Sequence, residues 1–262
     1  MRKIKKALIS VSDKSNLKSV LKILRKNKIE IISSGGTYKE IIKLGFDCLE
    51  VSKYTGFPEI MDGRIKTLHP KIHAGILVNR KKKSHLRDLK KNKFYEIDLV
   101  IVNFYPFEEI LNLKKNQSKI IENIDIGGPT MVRAAAKNFN DVTVVTNTKQ
   151  YRELISELSK NKGSTSLVFR QKMSSEAFSE TAYYDSVISD YFNIKINNKF
   201  PNKKLIYGNL IEKLRYGENP HQNAGIYSNK NNLGLKKLNG KQLSYNNYND
   251  IFSALLISKS LP

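Results

Sequence analysis

Residues 62–70, with the sequence Asp-Gly-Arg-Ile-Lys-Thr-Leu-His-Pro, place two cations, a hydroxyl and an imidazole in a segment without helical or strand periodicity. Arg64 offers a planar guanidinium for a phosphate or carboxylate, Lys66 a compact charge, and Thr67 a neutral hydrogen-bond donor. These residue types predict an anion-binding loop in which Lys66 also acts as an acid or a base. A solvated basic loop is the alternative, because lysine is abundant throughout the chain.

Two other short segments carry donors that suit a phosphate group. In residues 34–37, Ser-Gly-Gly-Thr, glycine allows close backbone approach, hydroxyls donate, and the following helix presents free N–H groups and a positive dipole end. Residues 10–14, Ser-Val-Ser-Asp-Lys, add hydroxyls and a cation. An ordinary glycine turn and a helix cap with a surface lysine are the alternatives. The candidate binding residues in these two segments are Ser10, Ser12, Lys14, Ser34, Gly36 and Thr37.

Asp125 stands in a glycine-rich loop just before Gly127 and Gly128. Its carboxylate either caps the loop or accepts a hydrogen bond from a reacting N–H. In the second case the two glycines supply backbone donors for a developing oxyanion. Tyr105 follows an apolar run and precedes Pro106, so a packing role and a role in a site are both open.

Lys137 lies four residues after Arg133 and seven after Thr130, so the three share one face of a predicted helix. That face is directed either to solvent or to a site that the helix covers. His69 and His73 are close in sequence, but no third ligand of a suitable type stands nearby, and we expect no metal site.

Short apolar runs alternate with helical patterns over the first 150 residues. The capping-box spacing of Thr37 and Glu40 predicts a helix that ends at Gly45, and Pro129 suits the first turn of a helix over 130–138. This alternation predicts an α/β fold, an open parallel sheet with helices on both faces. The predicted strands are 7–11, 29–32, 48–51, 98–104 and 141–146.

The carboxyl ends of parallel strands meet at one edge of such a sheet, and ligands bind beyond them. Residues 10–14, 34–37, 103–105 and 125–128 all fall at this edge. We therefore expect these separate motifs to form one site.

Beyond residue 150 the sequence predicts mostly helix as far as residue 193, with a break at 161–166. A polar, lysine-rich segment follows at 195–204, which is typical of a domain boundary. We therefore divide the chain into residues 1–150, 151–200 and 201–262.

The net charge of +22 favours an anionic partner. The proportion of Lys to Arg and their distribution help to decide whether that partner is nucleic acid or a small molecule. Of 46 basic residues only nine are Arg, and they are spread over the whole length, whereas nucleic-acid readers concentrate Arg and aromatic residues on one element. We therefore expect an anionic small molecule and not nucleic acid. Cys48 is the only cysteine and no apolar run approaches the length of a membrane span, so we expect a cytoplasmic protein without membrane contact.

The chain resembles the family of bifunctional purine biosynthesis proteins, which combine an IMP cyclohydrolase domain with an AICAR formyltransferase domain. The resemblance covers essentially the whole chain. It is carried by ordered motifs, namely ISVSDK, SSGGT, DGRIKTLHPKIHAGIL, NFYPF, IDIGGPTMVRAAAKN, LRYGENPHQ and LNGKQLSYNN.

The resemblance implies a methylglyoxal-synthase-like cyclohydrolase domain at 1–150, a helical extension and linker at 151–200, and the start of a formyltransferase domain at 201–262. It also implies a homodimer. The cyclohydrolase step closes 5-formamidoimidazole-4-carboxamide ribotide, a purine ribotide, to inosine monophosphate and water without a metal or cofactor. The family's formyltransferase step uses 10-formyltetrahydrofolate.

The resemblance also implies a role for each matching residue. Asp125 accepts the reacting N–H, Lys137 stabilises the oxyanion, and Lys66 and Tyr105 relay protons. The 5′-phosphate is expected on Ser12, Lys14, Ser34, Gly36 and Thr37, with Arg64 and Thr67 close by and Asn103 against the base. Ser10, Ile126, Gly127 and Gly128 complete the expected substrate-binding set, and Arg215 and Tyr216 match substrate-binding residues of the formyltransferase domain.

One departure from the family pattern limits these expectations. The formyltransferase uses an adjacent Lys-His pair, and none of the four histidines of this chain follows a lysine. We therefore expect cyclohydrolase activity without formyl transfer, with the folate site incomplete. A methylglyoxal synthase and a nucleotide-binding allosteric module are the alternatives on the same fold.

Overall fold

The computed structural model describes residues 1–113, 116–229 and 233–261. Its strands are β1 Arg2–Lys3, β2 Lys6–Val11, β3 Glu30–Ser33, β4 Leu49–Glu50, β5 Leu99–Asn103, β6 Thr143–Val145, β7 Ser164–Thr165, β8 Asn209–Lys213 and β9 Gly225–Ser228. Its helices are α1 Leu17–Lys26, α2 Gly35–Lys43, α3 Val51–Thr55, α4 Pro70–Leu77, α5 Lys83–Lys91, α6 Phe107–Asn112, α7 Gln117–Glu122, α8 Gly127–Lys137, α9 Tyr151–Lys160, α10 Leu167–Lys195 and α11 Tyr245–Ser260.

A five-stranded sheet with the order β4-β3-β2-β5-β6 forms the centre of the first part of the chain, and all of its neighbouring strands are parallel. Residues of β5 and β6 are buried in succession, which requires cover on both faces of the sheet. Helix α4 packs on α8, and α1 packs on α9. The predicted α/β fold with an open parallel sheet is confirmed.

The strand order contains one reversal. The chain runs from β2 outward to β3 and β4, and then returns to place β5 on the other side of β2. In the register of this pair, Val11 at the end of β2 lies beside Asn103 at the end of β5. Such a reversal is the place where open α/β sheets bind ligands, because loops from both halves of the sheet meet there.

Helix α2 begins three residues earlier than the sequence pattern predicts, with Ser34 and not Thr37 as its N-cap, and runs from Gly35 to Lys43. The predicted capping box does not form because Thr37 lies inside the helix. The Thr37 hydroxyl accepts the N–H of Val11 at 2.9 Å and donates to its carbonyl at 3.0 Å. The side chain therefore joins α2 to the end of β2 and does not cap its own helix.

Other element bounds also differ from prediction by one to three residues, and the causes are visible at α8 and β4. Helix α8 begins at Gly127 and not at residue 130, since the Asp125 carboxylate accepts the Gly128 N–H and starts the first turn early. Strand β4 covers only Leu49–Glu50, because the chain turns directly into α3 at Val51. The helical stretch after residue 150 and its break are present, and the break contains β7.

The residue contacts divide the chain into two compact units, Met1–Ile188 and Ser189–Pro262. Helices α9 and α10 belong to the first unit up to Ile188, since they bury Leu154, Leu158 and Met173 in the same core as the sheet. The described part of the second unit contains an antiparallel β8–β9 hairpin and helix α11. Among the described residues, no helix has both the length and the apolar character needed to cross a membrane.

Asp98 is a buried carboxylate that joins the starts of two central strands. It accepts the backbone N–H groups of Lys5 at 2.7 Å and Lys6 at 2.8 Å, and the guanidinium of Arg80 at 2.6 Å. The Arg80 side chain is only 8% exposed, and its backbone N–H donates to Asp141 at 3.1 Å. These contacts hold β2, β5 and the segment after α4 together at the end of the sheet opposite the strand-end loops.

Replacing Asp98 by alanine is expected to lower the free energy of unfolding by about 3 kcal/mol, since the buried Arg80 guanidinium then loses its buried carboxylate and keeps only Glu96, at 3.5 Å and 42% exposed. Urea unfolding of the full chain measures this change. Glu153→Ala is the control, because its ion pair with Lys172 is half-exposed and worth at most about 1 kcal/mol. Equal losses for the two variants would contradict the prediction.

Candidate active site

A cavity of about 530 Å³ lies at the carboxyl ends of the parallel strands, and segment 62–70 forms one of its walls. The strand-end loops 10–14, 34–37, 103–105 and 125–128 all contribute to it, so the structure brings together the motifs that the sequence grouped. The predicted site residues that line it are Ser10, Ser12, Lys14, Ser34, Gly36, Thr37, Arg64, Lys66, Thr67, Asn103, Tyr105, Asp125, Ile126, Gly127 and Gly128.

Asn103 fixes the loop that follows β2. Its side-chain oxygen accepts the backbone N–H groups of Ser12 at 2.6 Å and Asp13 at 2.9 Å, and its amide group donates to the Asp13 carbonyl at 2.8 Å. These bonds engage most of the hydrogen-bonding capacity of the side chain. Asn103 therefore lies in the cavity wall, where it shapes the Ser12–Asp13 loop.

The turn at 34–37 combines a helix start with a buried hydroxyl. Ser34 is 6% exposed, and its Oγ is buried without a hydrogen-bond partner among the described residues. The hydroxyl of Thr37 is engaged with Val11, so the donors that this turn directs to the cavity are the Ser34 hydroxyl and the first N–H groups of α2. A phosphate oxygen would satisfy both kinds of donor.

Lys66 lies between Tyr105 and the turn at 34–37, which we call the phosphate-type turn because its donors suit a phosphate group. Its Nζ is 3.5 Å from the Tyr105 hydroxyl and 3.8 Å from a carboxylate oxygen of Glu59. Gly35 has a φ of +53°, and a Cβ at this position would lie 3.5 Å from the same Nζ. The Lys66 ammonium group is therefore close both to the backbone of the turn at 34–37 and to the phenol of Tyr105.

Asp125 is a partly buried carboxylate at the start of helix α8. Its Oδ1 accepts the Gly128 N–H at 2.8 Å, and a Cβ at Gly128 would stand 2.4 Å from Oδ2, so only glycine fits beside this carboxylate. Burial raises the pKa of Asp125, while the backbone N–H groups of Gly128 and Tyr105 and the charge of Lys66 lower it. The result is a carboxylate with a raised pKa that the helix start holds in place.

Thr67 brings segment 62–70 against the start of α8. Its side chain is 3% exposed, and a Cβ at Gly127 would lie 2.7 Å from the Thr67 hydroxyl oxygen. Both glycines of the loop thus permit close approaches, Gly127 to a hydroxyl and Gly128 to a carboxylate. His69 caps helix α4 by accepting the Lys71 N–H at 3.0 Å, which gives this histidine a structural role.

Arg64 forms an ion pair with Glu122 at the end of α7, on the rim of the cavity. Both side chains are more than half exposed. The guanidinium predicted to hold an anionic substrate therefore already has an anionic neighbour from the protein itself.

Lys137 does not line the cavity. It is exposed in the last turn of α8, about 15 Å along the helix axis from Gly127. On the same face, Arg133 lies over the ring of Phe178 at 5.7 Å, and the Thr130 hydroxyl donates to the Ile126 carbonyl at 2.8 Å. The structure thus separates Lys137 from the other predicted catalytic residues, because the helix that starts at the cavity runs away from it.

Arg215 and Tyr216 belong to the second unit. The guanidinium donates to the Tyr216 hydroxyl at 3.0 Å and lies over the tyrosine ring at 4.8 Å. Hydrogen bonds with Ser244 and Arg215 lower the pKa of the Tyr216 phenol.

Two residues near the cavity carry no signal in the sequence motifs. Glu122 lies in a short polar helix without a recognisable pattern. Tyr184 comes from α10, where the buried positions Phe169, Met173 and Ala177 recur at helical spacing and Tyr184 continues the buried face. That stripe predicts burial of Tyr184 but not its contact with the Asp125 loop.

Comparisons with known proteins match both parts of the chain. The MGS-like domain model matches residues 16–130, and the AICARFT/IMPCHase bienzyme model matches residues 135–261. The bifunctional purine biosynthesis protein PurH of Bradyrhizobium diazoefficiens is 45% identical over 257 residues, which are 97% of this chain and 48% of that protein. PurH of Elusimicrobium minutum is 46% identical over 96% of this chain and 49% of its own length.

A solved structure is also similar. The crystal structure of ForH superposes with a TM-score of 0.65 at 28% identity, over 72% of this chain and 97% of that one. The chain spans about half the length of the curated relatives that it matches. With 45% identity over nearly all of its length and both family models matched in order, the chain belongs to the family of bifunctional purine biosynthesis proteins.

Proposed function

We propose that this chain is an IMP cyclohydrolase, which closes 5-formamidoimidazole-4-carboxamide ribotide to inosine monophosphate and water. One observation carries the proposal. A single cavity combines a phosphate-type turn, the Lys66–Tyr105 pair and the partly buried Asp125 carboxylate. This combination matches a substrate with a phosphate at one end and a weakly nucleophilic amide at the other.

The 5′-phosphate binds at the turn 34–37 and the loop 10–14. The Ser34 hydroxyl and the first N–H groups of α2 donate to its oxygens, and the helix dipole favours its charge. Lys14, whose Nζ is 3.2 Å from the Ser12 carbonyl, supplies a cation at the same wall. Asn103 supports this wall from behind.

Ring closure joins the carboxamide nitrogen to the formyl carbon of the same molecule. The nitrogen attacks and the formyl C=O becomes an alkoxide. This oxygen takes up two protons and leaves as water, while the carboxamide nitrogen and the formamide nitrogen each lose one proton and the C=N bond of the ring forms. Asp125 accepts a proton from the nitrogen, and its raised pKa makes it a better base than an exposed aspartate. Lys66, with Tyr105 beside it, gives a proton to the departing oxygen.

Positioning contributes to the rate. Because the two reacting groups already belong to one molecule, the cavity adds the selection of the conformer in which the nitrogen faces the formyl carbon. The backbone N–H of Gly127, in the first turn of α8, stabilises the alkoxide. Lys137 has no step in this mechanism, because it lies at the other end of its helix.

The proposal extends to the protein as a whole. We place it in the cytoplasm as a homodimer that binds a purine ribotide and neither nucleic acid nor a membrane. The cyclohydrolase step uses no metal or cofactor. In the family's formyltransferase step, which uses 10-formyltetrahydrofolate, Arg215 and Tyr216 would contact the ribotide, and no formyl transfer by these 262 residues is proposed.

The direct test is formation of inosine monophosphate from the formylated ribotide by the purified 262-residue chain. The Lys66→Met variant is expected to lose at least about 100-fold in kcat, the usual contribution of a positioned proton donor. Lys160→Met removes an exposed lysine from the end of α9 and should retain the full rate. A wild-type chain without turnover, or equal rates for the two variants, would refute the proposal.

Gly128→Ala is expected to lower kcat/KM at least about tenfold, because the new Cβ displaces the Asp125 carboxylate. Steady-state kinetics measure this loss, and circular dichroism checks that α8 still forms. The same change in an Asp125→Ala background should cost little, since no carboxylate remains to be displaced. Additive losses in the double variant would show that the glycine acts in another way.

The rate is expected to fall in mild acid. Because burial raises the pKa of Asp125, the carboxylate takes up its proton at a higher pH than an exposed aspartate, whose pKa is about 3.9. The proposed acceptor must be ionised, so kcat decreases as the pH falls through this raised value. A kcat that stays constant down to about pH 4, or full activity in Asp125→Asn, would contradict the role of Asp125.

A further inference from the structure

Tyr184 of helix α10 contacts the Asp125 loop through two hydrogen bonds. Its hydroxyl accepts the backbone N–H of Asp125 at 2.8 Å and donates to the Asn123 carbonyl at 3.1 Å. Both partners are backbone groups, so the phenol fixes the path of the chain just before α8. Tyr184 is 9% exposed and does not belong to the residues that line the cavity.

The ring of Tyr184 also contacts the loop that carries Tyr105. Its centroid lies 5.0 Å from that of Phe104 in a tilted arrangement and 6.3 Å from that of Phe107 in an edge-to-face arrangement. These two phenylalanines flank Tyr105 and Pro106 in the sequence. The Tyr184 side chain therefore contacts both the segment that carries the Asp125 carboxylate and the segment that carries the Tyr105 phenol.

We infer that Tyr184 is a positioning residue that sets the distance between Asp125 and the Lys66–Tyr105 pair. This inference rests on the proposed ring closure. Asp125 falls within the MGS-like match and Tyr184 within the AICARFT/IMPCHase match, so the active geometry depends on helix α10 as well as on the sheet domain.

The hydroxyl is the part of Tyr184 that carries this role. Phenylalanine keeps the ring contacts with Phe104 and Phe107 but leaves the Asp125 N–H without its acceptor. A backbone donor that loses its partner in a partly buried place turns toward water, which moves the loop. Because catalysis depends on geometry at the ångström level, a small movement of Asp125 lowers kcat more than it changes KM.

Tyr183 is a matched control on the same helix. Its hydroxyl donates a hydrogen bond at 3.0 Å to the carboxylate of Glu108, a residue of α6. Tyr183→Phe therefore removes an equal chemical group from the adjacent position without touching the Asp125 backbone.

The first experiment compares Tyr184→Phe with Tyr183→Phe in the cyclisation assay. We expect Tyr184→Phe to lower kcat about tenfold or more with KM within about twofold, and Tyr183→Phe to stay within about twofold in both. The second readout is the acid limb of kcat, which is the pH range over which kcat decreases as the pH falls. Asp125 faces the charge of Lys66, the backbone N–H groups of Gly128 and Tyr105, and the phenol of Tyr184, and Tyr184→Phe removes only this neutral hydroxyl.

Loosening the loop in Tyr184→Phe hydrates Asp125, so its pKa falls toward the ordinary value and the acid limb moves to lower pH. A residue that only stabilised the fold would leave this limb in place. A Tyr184→Phe variant with wild-type kcat and an unshifted acid limb would overturn the inference.

An activity-independent measurement separates this inference from the proposed function. Carbon-13 NMR titration of the Asp125 carboxyl in the full chain reports its pKa without turnover. A lower pKa in Tyr184→Phe than in wild type and Tyr183→Phe supports the positioning role even if the wild-type chain forms no inosine monophosphate. Identical titrations in all three proteins would overturn the positioning role, whatever the assay shows.

Discussion

The parallel pairing of β2 with β5 is the constraint on which the candidate site depends. Its register places Val11 beside Asn103, and only in this register does the Asn103 side chain reach the N–H groups of Ser12 and Asp13. The pair also marks the point where the chain reverses its course across the sheet. Loops from both halves of the sheet therefore meet at one edge, and the cavity lies between them.

The site relies on backbone donors in a chain with 46 basic residues. The N–H of Gly128 holds the Asp125 carboxylate, and the first N–H groups of α2, which belong to the turn at 34–37, face the cavity. Backbone donors at a helix start have fixed directions, whereas a lysine side chain loses conformational entropy whenever it is held in one place. In the proposed site, the abundant lysines would favour anions in general, and the rigid donors would decide which anion fits.

Much of the fold follows from local sequence patterns, because apolar runs and helical spacing report burial directly. Residues 99–102 are buried on both faces as their apolar character predicts. The start of α2 was misplaced because Thr37 has a capping pattern but bonds a neighbouring strand, and a tertiary contact of that kind leaves no mark in local sequence.

The strand-end motifs predicted most of the cavity wall. Lys137 does not line the cavity, because it lies at the far end of α8 from the start of this helix at the site. The contact of Tyr184 with Asp125 could not be predicted, because the two residues lie far apart in the sequence.

The ion pair of Arg64 with Glu122 has a consequence for ligand exchange. Both side chains are more than half exposed, and such pairs are worth at most about 1 kcal/mol, so the pair opens at little cost. An incoming anion that takes Arg64 replaces a carboxylate, and the net gain is the difference between two ion pairs. Glu122 therefore reduces what an incoming anion gains from Arg64, and this reduction weighs less on a doubly charged phosphate than on a singly charged ligand.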